Sequence, residues 1–222
     1  MVPYLIIIFI IIMIILAVYG WRMEQKRREA LRAWCRSHGW KMSGHSIDGW
    51  DVDYPGIRLF NRGHSRSGDN IITGYHHDHP ITLLDYKYTT GSGKNRSTHH
   101  YGVTILDCGF PTIPLLIRRE HAFDKVGSFL GMGDIDFESA EFSRKFYVKS
   151  TDRKWAYDVI HIRTMDYLLG APNYSIEFGY GEIAILRTGK CSPAQYEQQV
   201  EMAYQLYQLI PEYLIKQMKG ER

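Results

Sequence analysis

The sequence predicts an α+β fold: one N-terminal transmembrane helix, then a mainly antiparallel sheet with a mid-domain helix and a long C-terminal amphipathic helix. Three observations predict it. Residues 2–21 contain no charged side chain. From residue 44 to 118, short runs rich in Thr, Tyr, Val and Ile alternate with Gly-containing turns. After residue 150 the apolar positions take up helical spacing.

The apolar run comes first. Twenty residues at about 1.5 Å each span roughly 30 Å, the hydrocarbon thickness of a bilayer. Tyr4 stands near one end and Tyr19 and Trp21 near the other, where amphipathic rings meet the two interfaces. A cleaved signal peptide would carry a basic leader and small residues at its exit. Here the leader reads Met-Val-Pro and the exit Ala17-Val18-Tyr19-Gly20, so a retained anchor is the better reading.

Charge sets the orientation. Arg22, Lys26, Arg27, Arg28, Arg32 and Arg36 outnumber Glu24 and Glu29 in residues 22–36, a local balance of +4. Cations beside a span stay cytoplasmic. The expectation is therefore a single-pass plasma-membrane protein with its N-terminus outside, divided into a transmembrane helix (1–21), a basic helical stalk (22–39) and a cytoplasmic α+β domain (40–222). Since the whole chain carries +3, the remainder carries −1. A nucleic-acid groove needs a basic face of its own, so nucleic acid is excluded as a partner. The partners expected are the lipid bilayer through residues 2–21, anionic lipid headgroups at the basic cluster, and a protein. Within the stalk, Arg27, Leu31 and Trp34 share a helical face, Glu24 and Arg28 form an i,i+4 pair, and Gly39 ends the helix. Trp34 and Trp40 are placed to pack the stalk onto the domain.

The domain's elements follow. Short strands are expected near Ile57–Phe60 and Asn70–Gly74. Residues 81–90 and 97–108 form a hairpin across "GSGKNR". A turn centred near Lys94 sets residue 90 opposite about 99. Ile113–Arg118 and Phe146–Lys149 are further strands. Ser150, Thr151 or Asp152 caps one helix carrying Trp155, Val159, Ile162, Met165 and Leu169, ended by Gly170 and Pro172. Tyr174–Phe178 and Glu182–Arg187 form a second hairpin. The last helix opens on Ser192-Pro193-Ala194-Gln195, a capping box with Pro at the first helical position. Tyr196, Val200, Ala203, Tyr207 and Ile210 form its buried stripe, and Pro211 breaks it.

Several stretches invite a chemical reading. "YHHDHP", residues 75–80, offers His76, His77, Asp78 and His79 as zinc ligands, with His99 and His100 as partners. The hairpin register puts those two groups roughly 30 Å apart, too far for one ion. "GSGKN", residues 91–95, lacks the first Gly and the Ser or Thr of a phosphate loop. "DIDFES" would set Asp134, Asp136 and Glu138 on one strand face, a divalent-cation arrangement or a solvated edge pairing with Arg144 and Lys145. Cys108 beside Asp107, and Asp158 beside His161, suggest no nucleophile–base pair, and neither G-x-S-x-G nor H-E-x-x-H is present. Cys35, Cys108 and Cys191 are odd in number and widely spaced, as in a reducing compartment. Asn95-Arg96-Ser97 and Asn173-Tyr174-Ser175 match the glycosylation triplet and would matter only with the domain outside. No catalytic, cofactor-binding or metal residue is assigned.

From about residue 60 to 212 the chain resembles a group of uncharacterised bacterial membrane-anchored proteins, largely actinobacterial, that carry a domain of unknown function. "LLDYKYTT", "GMGDIDFESAEFSRKFYV", "DRKWAYDVIHIRTMDYLL" and "IPEYL" carry the resemblance. Ile162 departs from it, standing where Pro is expected after the His. The resemblance implies a membrane-anchored cytoplasmic domain and no activity. The sequence thus favours a non-enzymatic binding or scaffold module at the inner membrane face. The alternatives are a membrane-tethered metal-dependent enzyme and an extracytoplasmic envelope-associated domain.

Overall fold

A computed structural model describes residues 2–120, 135 and 137–221. Helix α1 runs unbroken over Val2–Ser37. Its N-terminal part is long and apolar enough to cross a membrane, with a mean hydropathy of 2.5 over its most apolar window, and from Ile6 to Tyr19 its side chains are covered by no protein. Its C-terminal part belongs to the domain core, where Leu31 and Cys35 are buried. Trp34 and Trp40 do pack the helix onto the domain, edge to face at 4.9 Å.

Eight strands form one sheet: β1 (Lys41–Ser43), β2 (His64–His76), β3 (His79–Thr90), β4 (Ser97–Asp107), β5 (Leu115–Arg119), β6 (Phe146–Ser150), β7 (Ser175–Phe178) and β8 (Glu182–Thr188). Their order is β1-β2-β3-β4-β8-β7-β5-β6, every neighbouring pair antiparallel. Among the described residues the further helices are α2 (Trp50–Asp53), α3 (Ala140–Lys145), α4 (Arg153–Val159), α5 (Ile162–Gly170), α6 (Pro193–Leu209) and α7 (Glu212–Lys219). The expected α+β architecture is the one observed.

Each face of the sheet has its own core. The row Ile81 and Leu83 on β3, with Ile183 and Ile185 on β8 beyond the intervening β4, packs under α1, α4, α5 and α6. The alternate row, Leu84, Tyr86, Val103, Ile105 and Leu186, is covered by residues 50–60 through Trp50, Ile57, Leu59 and Phe60. The period of two along each strand makes this division.

Several expectations are corrected. Ile57–Phe60 is no strand; a 3₁₀ turn at Arg58–Asn61 drops Leu59 and Phe60 onto the second core. Asn70–Gly74 is the middle of a much longer strand, β2, which pairs with β3 through the two-residue turn His77-Asp78. Both turn residues have positive φ, 44° and 66°, as the primed hairpin turns require. The β3–β4 hairpin turns at the expected place, but Thr90 lies opposite Ser97 rather than residue 99, because the connection is a tight 3₁₀ turn at Gly93–Asn95. The single helix expected over 153–169 is two. The chain breaks at Ile160, and α5 restarts from His161, whose Nε2–H donates to the Leu209 carbonyl at 2.8 Å. Ile162 is consequently exposed and Leu168 takes the buried position expected of Leu169. The capping box at Ser192 and Gln195 forms as expected, and α6 ends before Pro211.

Candidate functional site

The most concentrated polar structure in the domain lies where α1 leaves the membrane side and meets the sheet. Asp85 continues the inward row Ile81, Leu83, so its carboxylate points into the core under α1. Its side chain is 6% exposed, and burying an unpaired charge there would be prohibitive. Arg27 answers it. Two guanidinium nitrogens reach the two carboxylate oxygens, Nη1 to Oδ1 at 3.3 Å and Nη2 to Oδ2 more closely. Arg27 Nη1 also donates to the Cys191 carbonyl at 2.8 Å, and Nη2 to Glu24 Oε1 at 3.0 Å.

The carboxylate has two further donors. Tyr196 on α6 donates its hydroxyl to Oδ1 at 2.9 Å. Asn70 Nδ2 donates to Oδ2 at 2.7 Å. Asn70 sits at a bulge in β2 with φ 50°, a left-handed conformation that Asn tolerates, and the bulge turns its amide toward β3. Burial first, and then the Asp85 charge, hold the Tyr196 hydroxyl protonated far above its usual range, so it stays a donor.

Glu24 links this junction outward. It accepts from Arg27 and from Arg28 Nε at 3.2 Å, and Lys190 Nζ lies 2.9 Å away. Partial burial opposes its charge, but the hydrogen bonds from Arg27 and Lys190 outweigh that and bring its carboxyl down to about 2. One turn of the stalk is thereby bonded directly to β3 and to the loop before α6, and through Asp85 to β2 and α6. That loop fits closely because residue 102 is glycine; a Cβ there would collide with Cys191 Sγ. Beside the junction lies a small cavity of about 100 Å³, lined by Arg28, Asp69, Asp85, Lys87, His100 and Lys190.

This revises the reading of the basic cluster. Arg27 is not a surface charge facing lipid; it is an internal ion-pair partner of the domain. The sequence gives no local sign of this, because Asp85 lies 58 residues away. The one available clue is a carboxylate in the apolar alternation of "ITLLDYKYTT".

The histidine stretch has a different fate. His76 packs edge-on against Tyr204, His77 stacks on Tyr204 at 4.4 Å, and His79 meets Tyr207 at 4.0 Å. His79 Nδ1–H donates to the Asp107 carbonyl at 3.0 Å. His99 lies far along the sheet, stacked on Tyr88 and 2.9 Å from Thr90 Oγ1. Among the described residues no three His, Cys, Asp or Glu side chains gather around one point. Asp134 and Asp136 lie outside the described residues, whereas Glu138 is exposed ahead of α3. Burial pushes up the thiols of Cys35, Cys108 and Cys191, the last to about 11, the opposite of an activated nucleophile. Two larger clefts, about 340 and 530 Å³, flank the buried Glu177, one lined by Pro55, Arg58 and Lys149, the other by Arg62, Arg118 and Arg119. Burial raises Glu177, and the Leu59 N–H, 3.2 Å away, partly offsets this.

No family model matches the chain, and no curated protein does. Among solved structures, the crystal structure of the mycobacterial trehalose monomycolate transport factor A, TtfA, is similar with a TM-score of 0.58, covering 82% of this chain and 93% of that one at 12% identity. At that identity the likeness is one of fold.

Proposed function

We propose that this protein is a single-pass, membrane-tethered, non-catalytic accessory module whose domain holds a membrane-protein partner at the cytoplasmic face. The observation that carries the reading is the junction. An apolar helix continues without a break into the domain core and is fixed there by the Arg27–Asp85 pair and its ring of donors. A flexible tether would only localise the domain; this rigid one also fixes which surfaces face the bilayer. The fold likeness to a protein named as a transport factor supports a role in transport rather than in catalysis. Membership of the actinobacterial membrane-anchored group belongs to the same proposal, as does the cytoplasmic placement, which rests on the +4 balance after the span.

Crosslinking in native membranes, followed by purification of the full chain, tests the role. The expected result is stoichiometric recovery of one integral membrane protein. Recovery of the chain alone, at every crosslinker length, would sink it. Protease digestion of intact cells against inverted vesicles tests the placement. The domain is expected to be cut only in inverted vesicles.

A further inference from the structure

The strand register identifies the end of the sheet that faces the bilayer. Two contacts tie β3 and its partner to α1. Near its start, Tyr75 opposite Pro80 accepts from Trp40 Nε1, and Trp40 N in turn folds back on the Cys35 carbonyl at the end of α1. Further along, Asp85 binds Arg27. Pro80 to Asp85 is five residues of strand, about 16 Å. Arg27 to Cys35 is eight residues of helix, about 12 Å. The two lengths agree to within about 4 Å, so β3 runs roughly antiparallel to α1 and back toward the span. Trp21 stands six residues before Arg27, about 9 Å away. Thr90 stands five residues past Asp85, about 16 Å away. The β3–β4 tip therefore reaches at least as far toward the span as Trp21, the aromatic at the interface end of the apolar segment.

The chemistry of the tip suits that level. From Tyr86 to Leu106 the chain has no Asp or Glu, while it carries Lys87, Lys94 and Arg96. Lys87 is bonded to Asp69 at 3.1 Å. Lys94 and Arg96 are exposed, and neither makes an ion pair with the described residues. The tip is also held in place, since His64 Nε2–H donates to the Gly91 carbonyl at 3.0 Å. Across the gap, Arg22 and Lys26 are exposed on the first turns of α1 after the span.

We propose that the β3–β4 tip is a second membrane contact, in which Lys94 and Arg96 rest on the phosphates of anionic lipids while α1 holds the domain at the matching height. The inference rests on α1 crossing the membrane, and not on the partner-holding role. Two points of attachment would stop the domain from swinging about its span.

The test uses the full chain in nanodiscs of phosphatidylcholine, with or without phosphatidylglycerol, read by hydrogen exchange at residues 91–97. Exchange is expected to slow with phosphatidylglycerol and to recover as salt is added. Each cation near an anionic surface contributes a factor of about five, so Lys94→Glu with Arg96→Glu should cost the docked population at least about twenty-five-fold. Equal exchange of the native chain in the two lipid compositions would overturn the proposal, as would slowing that survives the double reversal. Slowing that arises only with a second membrane protein present would assign the tip to protein and overturn it too. Because the native chain alone supplies the salt and lipid comparison, a misfolded variant would not leave the question open. Partner capture by crosslinking does not depend on this outcome, so the two readings fail separately.

Discussion

At one end of β3 the chain turns through His76, His77 and His79, pressed against Tyr204 and Tyr207 of α6. About 35 Å along the same strand it turns through Lys94 and Arg96, which project into open surroundings. The first turn has the residues of a metal site and is a packing element. The second has the residues of an ordinary loop and stands where the bilayer surface should be. Asp107 and Glu182 accompany the histidine end, whereas no carboxylate occurs in the chain between Asp85 and Asp107. What separates the two ends is the junction at Arg27 and Asp85. The comparison teaches that side-chain type says little about role until the span has fixed which end of the sheet faces lipid.

The largest effect should come from breaking the junction. Arg27→Met leaves the Asp85 carboxylate buried with two neutral donors and no counter-charge, at a cost of about 3 kcal/mol. For a domain of this size that lowers Tm by roughly 6–12 °C, measurable by thermal denaturation of the full chain in nanodiscs. Adding Asp85→Asn removes the stranded charge while keeping an acceptor for Tyr196 and Asn70. The pair of changes should therefore cost clearly less than the sum of the single ones. Additive losses would show that the two side chains do not act as a unit, and α1 would then be free to pivot.

A second effect tests the seating of the loop beside that junction. Gly102→Ala drives a methyl group into Cys191 and should cost about 2 kcal/mol by overpacking. Combining it with Cys191→Ala makes room and should recover most of the loss. If Gly102→Ala is neutral alone, the loop is not held against β4 and its link to Arg27 matters little.

How much of this was legible depends on how local the signal is. The capping box at Ser192 and Gln195 spans four residues and could be read directly. The β3–β4 hairpin was legible because Gly91 and Gly93 punctuate two β-rich runs. The β2–β3 hairpin is not legible in the sequence because His and Asp are weaker turn signals than Asn-Gly. The break at Ile160 was missed because the apolar spacing continues across it. The contact that accompanies it, between His161 and Leu209, joins residues 48 apart. Arg27 is the clearest case. Its neighbours suggest a topology signal, and only the fold reveals Asp85 waiting beneath it.

A smaller effect probes the histidine end through pH. Burial first, and then the neighbouring His77, lower the pKa of His76 below its usual 6.5, against the opposing pull of Glu201. The unfolded chain then binds a proton that the folded one resists. Stability is thus full above about pH 6.5 and falls as pH drops through that value. Tm should decrease between pH 7.5 and 5.5, and His76→Gln should flatten the decrease. An unchanged slope in the variant would remove His76 as its source.

The smallest effect on stability should come from the other turn, and that smallness is informative. Lys94→Gln with Arg96→Gln touches two exposed side chains that make no ion pair with the described residues, so the unfolding free energy should shift by less than about 0.5 kcal/mol. The matching truncation at the histidine end, His77→Ala with His79→Ala, removes ring contacts with Tyr204 and Tyr207 and should cost more, about 1–2 kcal/mol. Two cations that contribute nothing to folding, at an end of the sheet free of carboxylates, are available for a contact outside the fold. If instead the Lys94 and Arg96 changes destabilise the domain as much as the histidine ones, both turns are structural and the asymmetry between the two ends disappears.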